Sequence, residues 1–265
     1  MRRRSEPISP PVAALAICAC FFLTLPVVAL LWRAPWSDLV DELTAPPART
    51  ALRLSLVCSF GATVLSVALG MPLAWVLARK RVPGRRLVRA LALLPLVLPP
   101  VVGGVALLLA LGRNGIVGHL LDAWLGVRLP FTTAGAIVAE AFVAMPFVVI
   151  TAEAAFRSAD RGLEDAARTL GATRSATFRT VTLPLAAPAL GAGVVLAWAR
   201  ALGEFGATIT FAGNAPGRTQ TLPLQVYLDL ESGQTGSAIV LSLLLLAISL
   251  AVLAGMRGRW FNAAR

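Results

Sequence analysis

An all-α integral membrane protein with six transmembrane helices is the fold class this sequence predicts, and three observations carry the prediction. Hydrophobic residues make up 57% of the chain and charged residues only 14%, with a mean hydropathy of +0.78. A soluble domain carries about 25% charged residues, so this chain lacks the polar surface that would keep it dissolved. Six windows reach the roughly 20 apolar residues that a helix needs to cross a bilayer: 12–33, 51–78, 88–112, 132–154, 184–206 and 236–256. The links between them are of modest length and leave no room for a large soluble domain. The chain therefore divides into an N-terminal tail (1–11), a single transmembrane domain (12–256) and a C-terminal tail (257–265).

The elements follow in order. The first window comes after Met1, Arg2, Arg3 and Arg4, like the start of a secretory signal. Its apolar run exceeds the roughly 7 to 15 residues of a signal core, so it is read as a retained first helix. The link 34–50 holds Asp38, Asp41, Glu42 and the Pro46-Pro47 pair. The third window contains Pro99, Pro100, Gly103 and Gly104, which weaken a helical hydrogen-bond ladder; a break of that kind is tolerated where protein or water replaces the lost bonds. Such a helix either lines a transport path or simply packs there. Between 113 and 130 the run GIVGHLLDAWLGVRLP has apolar residues at helical spacing and predicts a short interfacial helix. The longest link, 207–235, is rich in Gly, Thr and Pro, and a loop of that length is usually functional or disordered.

Basic residues set the orientation. A formal charge of +11 would point a soluble protein towards nucleic acid. Here the cations lie between apolar runs without interleaved aromatics, so a nucleic-acid partner is not expected and the membrane lipid is. Lys and Arg concentrate in cytoplasmic segments. With a cytoplasmic amino terminus, the inner segments hold Arg2, Arg3 and Arg4; Arg79, Lys80, Arg81, Arg85, Arg86 and Arg89; Arg157, Arg161, Arg168, Arg174 and Arg179; and Arg257, Arg259 and Arg265. These are most of the 24 Lys and Arg residues. A multi-pass protein with both termini cytoplasmic follows.

Several chemistries are excluded. Cys18, Cys20 and Cys58 sit in apolar runs without further ligands, and His119 has no carboxylate at ligand spacing, so no metal site is expected. An intramembrane hydrolase needs a nucleophile with a base, or a metal-binding pair such as HExxH, and no catalytic residue is assigned. No GxxxxGK[ST] phosphate loop is present. The chain is thus expected to bind no cofactor and to hydrolyse no ATP itself.

The polar interruption from Leu163 to Pro184, LEDAARTLGATRSATFRTVTLP, is the most informative stretch. Leu163 to Leu170 are good helix formers, Asp160 is placed to cap the first turn, and Gly171 suits a left-handed helix end. A second helical stretch, Ser175 to Val181, leads to Pro184, which a first helical turn accepts. Ala166, Ala167 and Gly171 allow another surface to approach closely. As residues alone, the stretch reads either as a docking element or as a basic linker.

This stretch resembles the signature cytoplasmic loop of ATP-binding-cassette importer permeases. In that family a Glu-Ala-Ala triplet is followed by Gly and by an Ile-x-Leu-Pro ending; here Asp165, Ala166 and Ala167 take the triplet, Gly171 the glycine, and Val181 to Pro184 the ending. Asp165 and Val181 depart conservatively from the pattern. Residues Arg200 to Glu231, with the TQTLPL run at Thr219 to Leu224, together with LPLVLPPVVGG and LGRNG, resemble the molybdate and sulfate permease group. The TQTLPL run is closer to the molybdate members. The resemblance implies a coupling loop at about 157–183, between the fourth and fifth spans, that includes Glu164, Asp165, Ala166, Ala167, Gly171, Leu183 and Pro184. It also implies partners: a second permease copy, a cytoplasmic ATPase dimer that uses the ATP, and a periplasmic oxyanion-binding protein. The implied function is import of an oxyanion, molybdate first, across the inner membrane by alternating access. Sulfate, thiosulfate or tungstate import is the alternative within the group, and a passive anion channel the more remote one.

Charged residues within spans are costly and usually face a bundle interior or an aqueous path. Arg53, Glu140, Arg200 and Glu204 all fall near the outer ends of their windows. Arg200 and Glu204 share a helix face, and Glu140 is expected to reach Arg200. Two readings are open: an outer gate or path that attracts an anion, or an interhelical ion pair that fixes packing.

Overall fold

The computed structural model describes residues 9–80 and 82–260, with side chains as far as Gly255, and every regular element in it is a helix. Of the inner-segment cations, Arg2, Arg3, Arg4, Arg81 and Arg265 lie outside the described residues, as does most of each tail.

Helix α1 (Pro10–Arg33) opens with prolines in its first turn, where the missing donor has no partner to lose. None of its residues is buried against the rest of the chain. After the short α2 (Leu39–Thr44) comes α3 (Pro46–Arg79), so Pro46 and Pro47 form the first turn of the second span and not part of the link before it.

The predicted third span is two helices, α4 (Arg85–Val97) and α5 (Pro100–Leu111). The break has a steric cause: a residue before proline is driven out of the helical region, and Leu98 is extended at φ −70° and ψ 129°. Among the described residues, five helical stretches are long and apolar enough to cross a membrane. The remaining window is covered by α4 and α5 together; at about 1.5 Å per residue, α5 alone falls short of the roughly 30 Å hydrocarbon core. The predicted interfacial helix is present as α6 (Gly118–Leu125), closed by Gly126 at φ 63°.

Helix α7 (Thr133–Ser158) is capped by Thr132, whose side chain accepts from the Gly135 amide. It leads through α8 (Arg161–Thr169), α9 (Arg174–Thr177) and a π-helical turn, Phe178–Thr182, into α10 (Leu183–Leu202). Helices α11 (Gly206–Ala212), α12 (Leu222–Glu231) and α13 (Thr235–Trp260) complete the chain. The last helix thus continues past residue 256, the expected end of the transmembrane domain.

The core is formed by α3, α7 and α10. Cys58 packs with Ala136, Ala62 with Ala141 and Ala144, and Leu77 with Val149 and Phe156, so α3 and α7 run parallel. Leu190 joins the Leu77 end and Ala197 and Ala201 the Ala62 end, so α10 runs antiparallel to both. Small residues dominate these contacts because lipid offers no hydrophobic drive to bring helices together, and close backbone approach must supply the attraction. The same device seats α5 on α11. A Cβ on Gly104 would lie 2.6 Å from Thr210 Cβ and 2.9 Å from the Ala207 carbonyl oxygen.

The 207–235 segment departs from expectation. It is no open loop: α12 is anchored by Leu222 and Leu224, both fully buried, and the Leu222 amide donates to Ser55 Oγ at 2.7 Å. Its polar composition masked burial because several of its polar side chains are themselves buried, some bonded to one another and others, such as Thr221 Oγ1 and Gln225 Oε1, without a partner among the described residues. Asp229 accepts from Gln225 at 2.7 Å and from Ser237 at 2.9 Å.

Candidate functional site

The packing places the polar stretch 157–183 at one end of the α3–α7–α10 core and Arg53, Glu140, Arg200 and Glu204 at the other.

At the first end, Asp160 does what its position predicts: Oδ1 accepts from the Gly162 amide at 2.7 Å and starts α8. Helix α8 stops at Gly171, which sits at φ 91°. The Ala172 amide reaches back to the Ala167 carbonyl at 3.0 Å and the Gly171 amide to that of Arg168 at 2.9 Å, the paired bonds of a Schellman end. Thr173 then caps α9 by accepting from the Ala176 amide. Pro184 lies in the first turn of α10, as predicted.

Glu164 holds this assembly to the spans. Its side chain is 7% exposed, and its Oε1 accepts from Arg79 Nη2 at 2.6 Å and from Thr182 Oγ1 at 2.7 Å. One carboxylate oxygen thus ties α8 to the end of α3 and to the π-helical turn that begins α10. The Arg79 guanidinium also lies 5.5 Å from the Trp75 ring centroid, and Trp75 meets Phe156 and Phe178 edge-on.

The neighbouring Asp165 behaves oppositely. Its side chain is 72% exposed and its ion-pair partner is Arg168 on the same helix, at 3.5 Å. Leu163, Ala166 and Leu170, which share a face at helical spacing, are exposed as well, Leu170 at 89%. Helix α8 therefore has an inner side locked by Glu164 and an outer side that is apolar and free. Leu183 and Pro184 are also exposed.

A second cluster lies beside it. Glu153, in the last turns of α7, receives Arg85 and Arg89 from α4 and Arg157 from its own helix. The sequence reading passed over Glu153 among the charges within spans, although Arg157 four residues on was a signal. Arg79 and Thr182 were also missed as partners of Glu164, because their distance along the chain gives no hint of contact.

The other end is simpler than expected. Arg200 pairs with Glu204 at 2.6 Å, and Glu204 Oε1 also accepts from the Ala207 amide at 2.9 Å, opening α11. Glu140 does not pair with Arg200; it is 1% exposed, and its Oε2 has no partner among the described residues. Arg53 is exposed and makes no ion pair with them. The expected Glu140–Arg200 contact is thus absent, and Arg200 and Glu204 do not share a helix: α10 ends at Leu202, and Glu204 takes the Arg200 guanidinium from the link that leads into α11. Pro99 and Pro100 are exposed at the α4–α5 break, and Pro100 packs against Gly206.

Residues 66–259 match the family model described as binding-protein-dependent transport system inner membrane component. The chain belongs to this family. The inner membrane component is 46% identical over 244 residues to the molybdenum transport system permease protein ModB of Mycobacterium tuberculosis, covering 92% of each chain. It is 38% identical over 237 residues to the sulfate transport system permease protein CysT of Salmonella typhimurium, covering 88% of this chain and 85% of that one. In fold it is similar to a chain in the crystal structure of a bacterial alginate ABC transporter in complex with alginate pentasaccharide-bound periplasmic protein. The TM-score is 0.73 at 19% identity, over 92% of this chain and 91% of that chain. All of the 157–183 stretch falls inside the family match.

Proposed function

We propose that this chain is the permease subunit of an ATP-driven importer for an oxyanion, molybdate, working as a pair of identical subunits. A separate ATPase dimer binds the exposed side of α8, and an extracytoplasmic binding protein delivers the anion to the opposite end. In this reading there are six spans, with α4 and α5 forming the third, and both termini lie on the same side of the membrane as the 157–183 stretch, the cytoplasm. The cations near that stretch, Arg79, Lys80, Arg85, Arg86 and Arg89 among them, agree with this orientation.

The observation that carries the reading is the two-sided α8. A helix clamped to two spans by Glu164 and presenting a free apolar row can pass a displacement from a docked partner to α3 and α10 together. Closure of the ATPases would then shift the population between inward-open and outward-open arrangements. Molybdate is preferred to sulfate because identity to the molybdenum permease is higher and extends over more of the chain.

The test is reconstitution of the chain in liposomes with its ATPase and binding protein. Molybdate uptake should require all three and ATP, and sulfate should compete weakly. Oxyanion flux through the chain alone, without nucleotide or partner, would make it a passive channel and end the permease reading.

A further inference from the structure

Between the end of α3, α8 and the π-helical turn lies a cleft of about 500 Å³. Lys80, Arg161, Arg168 and Arg174 line it, with Trp75 and Phe178. Its two acids are already engaged, Glu164 by Arg79 and Thr182, and Asp165 by Arg168. Among the described residues Lys80, Arg161 and Arg174 have no acidic partner. Arg79 closes the inner side, its side chain only 8% exposed and its Nε without a partner. Three uncompensated cations and a buried guanidinium around one cavity call for an anion, and guanidinium groups suit the tetrahedral oxygens of a phosphate.

Position selects the source of that phosphate. The cleft opens where α3 ends and the α10 span begins, which in the proposed orientation is the cytoplasmic membrane surface. Anionic headgroups are concentrated there, and each nearby Lys or Arg adds about 1 kcal/mol of attraction. Aromatic rings such as Trp75 and Phe178 belong at the same depth.

We propose that this cleft binds the phosphate of an anionic phospholipid headgroup, held chiefly by Arg161 and Arg174 with Arg79 behind them. The placement at the membrane surface rests on the permease reading above. Since Arg79 also holds Glu164, an occupied cleft would stiffen the α3–α8 attachment and make coupling sensitive to lipid composition.

The test uses the purified full chain in neutral detergent. The probes are short-chain phosphatidylglycerol, phosphatidylcholine of equal chain length, and inorganic phosphate as a competitor, with lipid binding followed by native mass spectrometry. The double variant Arg161→Gln/Arg174→Gln should lose about 30-fold in phosphatidylglycerol affinity, equivalent to about 1 kcal/mol for each charge removed. Arg161→Lys/Arg174→Lys should keep most of it. Arg33→Gln/Arg49→Gln, which removes two exposed cations from the opposite end, should lose none. Equal binding of the two lipids, or equal loss in both Gln pairs, would overturn the proposal. Displacement of phosphatidylglycerol by millimolar inorganic phosphate would overturn the headgroup assignment in favour of a free oxyanion. None of these readouts involves an ATPase or a transported anion. A failure here therefore leaves the permease reading standing, and a failure of the liposome uptake assay does not alter the lipid affinities.

Discussion

Glu164 Oε1 lies 2.6 Å from Arg79 Nη2, joining two residues 85 positions apart in the chain. The bond is charge-assisted and nearly dry, and both partners would be left costly without it. Removing one member of a buried pair typically costs about 3–5 kcal/mol. Glu164→Ala should lower the thermal stability of the purified subunit by an amount at the low end of that range, since partial exposure softens the penalty. Glu164→Gln should fold better than Glu164→Ala yet transport poorly. Equal uptake by Glu164→Gln and the unmodified protein would remove the clamp from the mechanism.

Asp165 gives the contrasting case. Its exposed side chain supports little of the fold, because surface ion pairs contribute about 0–1 kcal/mol. Asp165→Lys should leave the melting temperature nearly unchanged while uncoupling ATP hydrolysis from uptake. Fluorescence-detected melting and liposome uptake on the same preparation would separate the two effects.

At Gly171 the left-handed backbone sets the penalty, as a Cβ would meet nothing within 4 Å. Gly171→Ala should cost about 1 kcal/mol through strain, and Gly171→Val more. A larger side chain there also stands in the way of a docked partner. Loss of uptake should therefore exceed loss of stability, and normal transport by both variants would reduce the stretch to a linker.

Glu153 gathers Arg85, Arg89 and Arg157, and through the first two it fixes α4 to α7. Glu153→Gln should loosen α4 and raise amide exchange in its first turns. A double-mutant cycle with Arg89→Gln should give a coupling energy of about 0.5–3 kcal/mol; additivity would show that the cluster is not a unit.

Glu140 and Glu204 differ in what they hold. Glu204→Gln breaks the pair with Arg200, whereas Glu140→Gln changes a side chain with an idle oxygen. Both should impair uptake in assembled complexes. If either instead prevents assembly, that residue fixes packing and not passage.

Much of this was legible from the chain itself. Asp160, Gly171 and Pro184 stand where cap, bend and helix start require them, because those roles are set by local backbone chemistry. Apolar length located the long spans for the same reason. What escaped depends on distant partners. Nothing near Glu164 points to Arg79, whereas the Arg200–Glu204 pair was signalled by its spacing and only the failure of Glu140 to join it was not. The buried α12 was hidden because Gln225 and Asp229 look like surface residues until the Gln225 amide is seen to donate to the Asp229 carboxylate.

The π-helical turn at Phe178–Thr182 sets where a one-residue change of length is absorbed. Its wider winding, with the Leu183 amide bonded to the Phe178 carbonyl, accommodates one additional residue and aims Thr182 at Glu164. Deleting one residue here would close the turn into an ordinary α-helix and leave the helices on either side nearly in phase, since a π turn takes up the additional residue locally. A single-codon deletion between exposed Arg179 and Thr180 should therefore leave the spans folded and loosen the Thr182–Glu164 bond. The same deletion inside α10, where each residue turns the chain by about 100°, should instead misplace the contacts of every element before it.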